Sequence, residues 1–297
     1  MKITMQAGTT ASDLSSRKWD YAVYGDPIDA RGRAAVGFAK TNAKDGHLFR
    51  YNSQTLRIEF DGTSYSAEEP EAAFARLHNA SALIEATTLS FVEILLCCRA
   101  LNELRVQDLS ILYTEPHSYF RPERTQLVHR RSFELSDEVE DFTSVPGNSI
   151  LIMPERPLKT AVFLGFEGQR LGRLLEQTGI SPSSCSIVFG VPAYNPGWEM
   201  DAFVNNLRVL SGQQMAGRVN FCGAHNALSA YENITKIYAS CSDERLLVAP
   251  IGTKPHGIGS ALFLCEHPNV GVVYDNPKRK KDRSDKVGSW HLFEARF

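Results

Sequence analysis

Gly252-Thr253-Lys254 brings a glycine, a hydroxyl and an ammonium together in three residues. The apolar run Leu246–Ala249 precedes it, and Ile258, Ala261, Leu262 and Leu264 follow at helical spacing. That pattern predicts a strand, a tight turn and a helix start. A helix N-terminus points backbone N–H groups and a partial positive charge at one spot. With a lysine beside it, the turn suits phosphate or another anion, Gly252 letting a ligand approach the backbone closely. The plain alternative is a turn whose lysine is solvated and whose glycine supplies a positive φ.

In an open α/β sheet, ligands bind beyond the carboxyl ends of the strands, where the strand order reverses. That level selects further residues. Thr87 and Thr88 follow the run Ala82–Glu85, as phosphate donors or helix caps. Glu115 follows Leu109–Tyr113 and suits a ribose hydroxyl, a catalytic base, or a cap or ion pair. Glu167 follows Thr160–Leu164, with Arg170 three residues on, the spacing of a helical ion pair. His256 lies beside the Gly-Thr-Lys turn, as a base or as a hydrogen-bonded histidine. The expected ligand pocket comprises Gly252, Thr253, Lys254, His256, Thr87, Thr88 and Glu115. The candidate bases are Glu115, Glu167 and His256.

The elements that must position these residues alternate. Eight short β-like runs are separated by amphipathic stretches at about 30–40, 89–104, 168–177, 199–210 and 228–239, and by the helix after the turn. Short, continuously apolar strands between helices predict a doubly wound, mostly parallel, Rossmann-like α/β sheet. Residues 1–119 and 159–297 read as its two halves. The segment 120–158 breaks the rhythm with Arg121, Pro122, Arg124, Arg130 and Arg131, then an acidic run from Glu134 to Asp141, then Pro146-Gly147. It reads as an irregular insertion, either a lid on the crevice or an exposed arm.

Composition narrows the classes. The 297 residues carry a formal net charge of −2, so nothing global attracts nucleic acid or an anionic membrane. The one basic cluster, Lys278, Arg279, Lys280 and Lys281, reads as a solvated loop or as the only place for a polyanion. No apolar run reaches the roughly 18 residues of a membrane span. The six cysteines form no C-x-x-C pair, which predicts reduced thiols, a cytoplasmic protein and no metal site. No cofactor is expected: Gly257 and Gly259 begin G-x-G-x-x-G, but Leu262 takes its last position. The P-loop G-x-x-x-x-G-K-[ST] and the G-x-S-x-G elbow are absent from the sequence.

The strand, the turn Gly252-Thr253-Lys254 and the helix after it resemble the CRISPR-associated Rossmann-fold sensor family. Thr87 and Thr88 stand where that family places hydroxyl residues. Ile251 replaces its common second glycine. The resemblance implies a sensor of a cyclic oligonucleotide in antiviral defence, acting here through a partner or as a homo-oligomer rather than through a fused nuclease. Two further readings stand beside it. One is an enzyme transferring or hydrolysing a phosphoryl or glycosyl group of a nucleotide. The other is an interaction subunit of a larger assembly.

Overall fold

Every strand run read from the sequence forms a strand, but not in one sheet. The computed structural model describes residues 1–14, 17–77, 80–120, 133, 135–150, 156–213, 215 and 219–297. The chain divides into two compact units. One is Met1–Tyr119 with Lys281–Phe297, and the other is Phe120–Lys280.

The first unit runs β1 (Lys2–Gly8), β2 (Trp19–Tyr24), α1 (Ala30–Asn42), β3 (Ala43–Asn52), β4 (Arg57–Phe60), β5 (Thr63–Ser66), α2 (Glu71–Phe74), β6 (Ala82–Glu85), α3 (Phe91–Glu103) and β7 (Leu109–Tyr119). The second runs β8 (Ser136–Glu138), β9 (Thr143–Ser144), β10 (Leu158–Leu164), α4 (Gln169–Thr178), β11 (Cys185–Gly190), α5 (Trp198–Gly212), β12 (Val219–Cys222), α6 (Ala227–Ala239), β13 (Arg245–Pro250), α7 (Lys254–Glu266), β14 (Gly271–Tyr274) and β15 (Lys278–Arg279). The last strand, β16 (Ser284–Arg296), belongs to the first unit.

The eight-stranded sheet of the first unit has the order β1-β16-β7-β6-β2-β3-β4-β5. Its centre, β7-β6-β2-β3, is parallel, with α1 and α3 as crossovers, and its flanks are antiparallel. Strand β6 is buried at all four positions. Helix α3 starts at a capping box, Ser90 with Glu93. It is buried nearly all round rather than on one stripe, because α2 packs on its far side.

The second sheet has the order β12-β11-β10-β13-β14-β9. Its first five strands are parallel and β9 is antiparallel. Helix α4 packs on α5, and α6 packs on α7. The expected single, mostly parallel sheet is therefore corrected to a mixed α/β architecture with two large sheets and a two-stranded one, β15-β8. The strands ending at Ile84 and Tyr113 lie in one large sheet, and those ending at Leu164, Phe189 and Ala249 in the other. The reason is β16: it takes the free edge of β7 with an antiparallel ladder from Ser284↔Tyr119 to Ala295↔Leu109. That ladder also carries β7 past Tyr113 to Tyr119. Pro116, which cannot donate to a ladder, sits where the β16 register shifts between Val287 and Trp290.

Two helices meet at Gly259. A Cβ there would press on the Ala227 carbonyl oxygen and lie 2.9 Å from Ala230 Cβ and from Tyr231 N. Gly259→Val is expected to lower stability by about 2–3 kcal/mol through overpacking. Urea unfolding measures it, and a loss below about 0.5 kcal/mol, the size of a neutral surface change, would show that α6 and α7 separate freely.

Candidate functional site

The Gly-Thr-Lys turn joins β13 to α7, beside the end of β10. Thr253 is the N-cap: its hydroxyl accepts from the His256 N–H at 3.4 Å and donates to the Ala224 carbonyl at 2.7 Å. Gly252 does not have a positive φ. It is glycine for space, since a Cβ would lie 3.1 Å from the Leu164 carbonyl oxygen and 3.1 Å from His256 Nδ1. Across from it, a Cβ on Gly165 would touch the Ile251 oxygen at 3.4 Å. The close approach that the glycines permit is thus between β10 and β13. Lys254 is half-buried at the first position of α7.

Beneath the turn lies a buried ion pair. Arg170, in the first turn of α4, donates from Nε to Asp275 Oδ2 at 2.8 Å and from its terminal nitrogen to Asp275 Oδ1. Its other nitrogen donates to the Ile251 carbonyl at 3.2 Å, and its plane lies 5.6 Å from the Tyr274 ring centre. Burial alone would lower the guanidinium pKa, but the Asp275 carboxylate outweighs it and holds the pKa above its ordinary value. Glu167 is the weaker partner, 3.8 Å away, and accepts from the Ser136 hydroxyl at 3.2 Å. Asp275 follows β14 directly, so the strand-end reading that selected Glu167 also fitted it.

His256 is fully buried. Its Nε2 lies 3.2 Å from the Gly223 carbonyl oxygen and 3.3 Å from Cys222 Sγ. A carbonyl only accepts, so Nε2 carries the hydrogen and Nδ1 is the basic nitrogen. Nδ1 is buried against Gly252 and has no hydrogen-bond partner among the described residues. Burial lowers the imidazole pKa to about 4, against the pull of its bonds to Gly223 and Cys222. Burial also pushes the Cys222 thiol up to about 12. At neutral pH both groups are uncharged, and His256 fastens the β12–α6 loop to α7.

Part of the insertion packs over these strand ends. The Phe133 ring centre lies 4.5 Å from that of Phe166, tilted, and 5.7 Å from that of Trp198, edge to face, and the Glu140 N–H donates to the Asp275 carbonyl at 3.0 Å. Arg121, Pro122, Arg124, Arg130, Arg131 and Glu134 lie outside the described residues. The basic cluster is only in part the expected solvated loop: Lys278, Lys280 and Lys281 are exposed, but its first two residues lie in a strand. Lys278 and Arg279 form β15 and pair with β8, with Lys278 3.5 Å from Glu138. The Lys280 N–H donates to the Leu135 carbonyl, and Lys281 is exposed. The acidic run of the insertion supplies the opposing charge.

Thr87, Thr88 and Glu115 belong to the first unit, whereas Gly252, Thr253, Lys254 and His256 belong to the second. Glu85 organises the two threonines. It is fully buried and accepts from the Thr87 N–H at 2.7 Å, the Thr88 N–H at 3.0 Å and the Thr88 hydroxyl. Burial raises its pKa against those bonds. Thr88 also accepts from the Gly25 N–H at 2.9 Å, tying β6 to β2 where the parallel order turns. The Thr87 hydroxyl accepts from the Thr114 N–H at 3.1 Å. Glu115 is not beyond a strand end but inside β7, paired with His291 Nε2 at 2.8 Å. Nothing near Glu115 in the sequence announces a histidine 176 residues away.

A groove of about 650 Å³ runs between α4 and α5, lined by Gly172, Arg173, Arg208 and Gly212 among others; none of the candidate residues lines it. No known family model and no curated protein matches the chain. Among the described residues no helix is long and apolar enough to cross a membrane, and no cluster of three or more His, Cys, Asp or Glu could hold a metal ion.

Proposed function

We infer that this is a cytosolic binding protein for a nucleotide or other phosphorylated ligand, a sensor or regulator rather than an enzyme. The observation that carries this reading is the place of the Gly252-Thr253-Lys254 turn. It leaves β13 next to β10, the point where the parallel order β12-β11-β10-β13-β14 reverses. We read that order, with α4 against α5 and α6 against α7, as a doubly wound Rossmann-like arrangement within the second unit. Ligands of such sheets bind outside the strand ends at that point. Lys254 supplies the charge there, beside the positive end of α7. Phe133 and Ser136 make the insertion a cover for the same strand ends.

Binding is favoured over catalysis because the candidate bases are engaged elsewhere. Glu115 holds His291, Glu167 holds Ser136 and faces Arg170, and the basic nitrogen of His256 is buried. A role in antiviral defence, with a cyclic oligonucleotide as ligand, rests on the sequence resemblance alone.

Calorimetric titration with mono-, di- and cyclic oligonucleotides, with products followed by chromatography, tests the reading. Lys254→Ala is expected to weaken binding by about 1.5–3 kcal/mol, the range for hydrogen bonds to charged groups, with stability changed by less than about 0.5 kcal/mol. Equal affinities of wild type and variant for every phosphorylated ligand that binds would sink it. Turnover of a bound nucleotide would favour the enzyme.

A further inference from the structure

We propose that the chain forms a two-fold homodimer through α5 and the outer edge of β12. Helix α5 exposes Met200, Val204 and Leu207, which are 50%, 42% and 57% accessible, at the i, i+4, i+7 spacing of one face. Next to them, on β12, Phe221 is 53% accessible, with Phe203 bridging at 6.0 Å from its ring. These are four of the eight exposed large hydrophobic side chains among the described residues, gathered on two neighbouring elements. Strand β12 ends the order of its sheet, so its outer edge is unpaired among the described residues. An unpaired edge beside an apolar stripe is a surface that folded proteins cover.

A second copy fits this surface without any other element. A two-fold axis normal to the sheet brings β12 beside β12, antiparallel, and lays the α5 stripe against its own copy on the same face. Each copy then contributes one patch, as an isologous interface requires. The areas agree. Side chains of this size, about half exposed, give roughly 350–400 Å² of apolar surface per copy. A standard interface takes about 800 Å² per partner, of which about 60% is apolar. The patch therefore supplies most of the apolar part, and the strand edges and flanking side chains such as Arg208 form the rim.

Sedimentation of the full chain tests the proposal. Wild type is expected at twice 33.0 kDa, and Leu207→Glu and Phe221→Glu at 33.0 kDa. Both substitutions are at exposed positions, so the thermal midpoint of the separated monomer and its far-ultraviolet spectrum should stay native. Val204→Lys serves in the same test if either variant loses its fold. A wild-type chain that remains monomeric up to about 100 μM, weaker than any specific dimer in the micromolar range, overturns the proposal. So does a dimer that survives the substitutions.

Discussion

Arg170→Met is expected to destabilise the protein by about 3–5 kcal/mol, the cost of leaving a buried charge without its partner. Asp275 is inaccessible to solvent, and the guanidinium meets both of its oxygens. The methionine fills the stem of the arginine but returns no donor. The Ile251 carbonyl loses its bond as well, and with it the anchor of the Gly252–Lys254 turn. The double variant Arg170→Met/Asp275→Leu removes both charges and is expected to be less destabilised than the single one. Urea unfolding of the two variants checks this. If the single variant loses under about 1 kcal/mol, the pair is worth no more than a surface ion pair. If the double variant is the worse of the two, an uncompensated carboxylate is not the source of the loss.

The pair also shows what the sequence could reveal. Glu167 and Arg170 stand three apart, and that local spacing suggested a helical pair. The ion pair exists, but at 3.8 Å it is secondary, because Asp275, 105 residues on, takes the better face of the guanidinium. Local spacing predicts local partners. It is blind to residues that the sheet order brings together. Glu115 and His291 repeat the lesson: their contact depends on β16 returning to β7, which no pattern near Glu115 encodes.

Element types were more legible than their pairing. Buried parallel strands such as Ala82–Glu85 and Cys185–Gly190 announce themselves through short apolar runs, whereas the cap of α3 is Ser90 and not the Thr87 or Thr88 that the sequence suggested. Exposed edge strands carry no such mark. Lys2–Gly8 at the sheet edge is largely solvent-facing, and so is Ala43–Asn52 although it is paired on both sides, so both sequences read as loop. The antiparallel pairings of β1 and β16 on one flank, and of β4 and β5 on the other, make the first sheet mixed. The Gly-Thr-Lys turn was found in place, at a strand end and a helix start. Its glycine is explained by the Leu164 carbonyl and the His256 ring rather than by φ, a distinction that needs the neighbours.

His256 should make the fold acid-sensitive. Its pKa is about 4 in the folded state against 6.5 for a free imidazole. Below 6.5 the unfolded chain takes up a proton that the folded chain refuses, so acid favours unfolding. The stability that the neutral imidazole preserves is complete above pH 6.5, declines as the pH falls, and is lost by pH 4. A gap of that size corresponds to about 3 kcal/mol at 1.36 kcal/mol per unit. His256→Gln keeps a side chain that can donate to the Gly223 carbonyl but does not titrate. It is expected to be less stable than wild type at pH 7, since an amide fills the ring's place poorly against Phe163. Between pH 6.5 and 4 its unfolding free energy should fall by about 3 kcal/mol less than that of wild type. Urea titrations of both proteins at half-unit pH steps measure the two slopes. Parallel slopes would mean that His256 takes up its proton in the folded state as readily as in the unfolded one. The ring would then have to reach solvent, and the buried fastening between the β12–α6 loop and α7 would not hold.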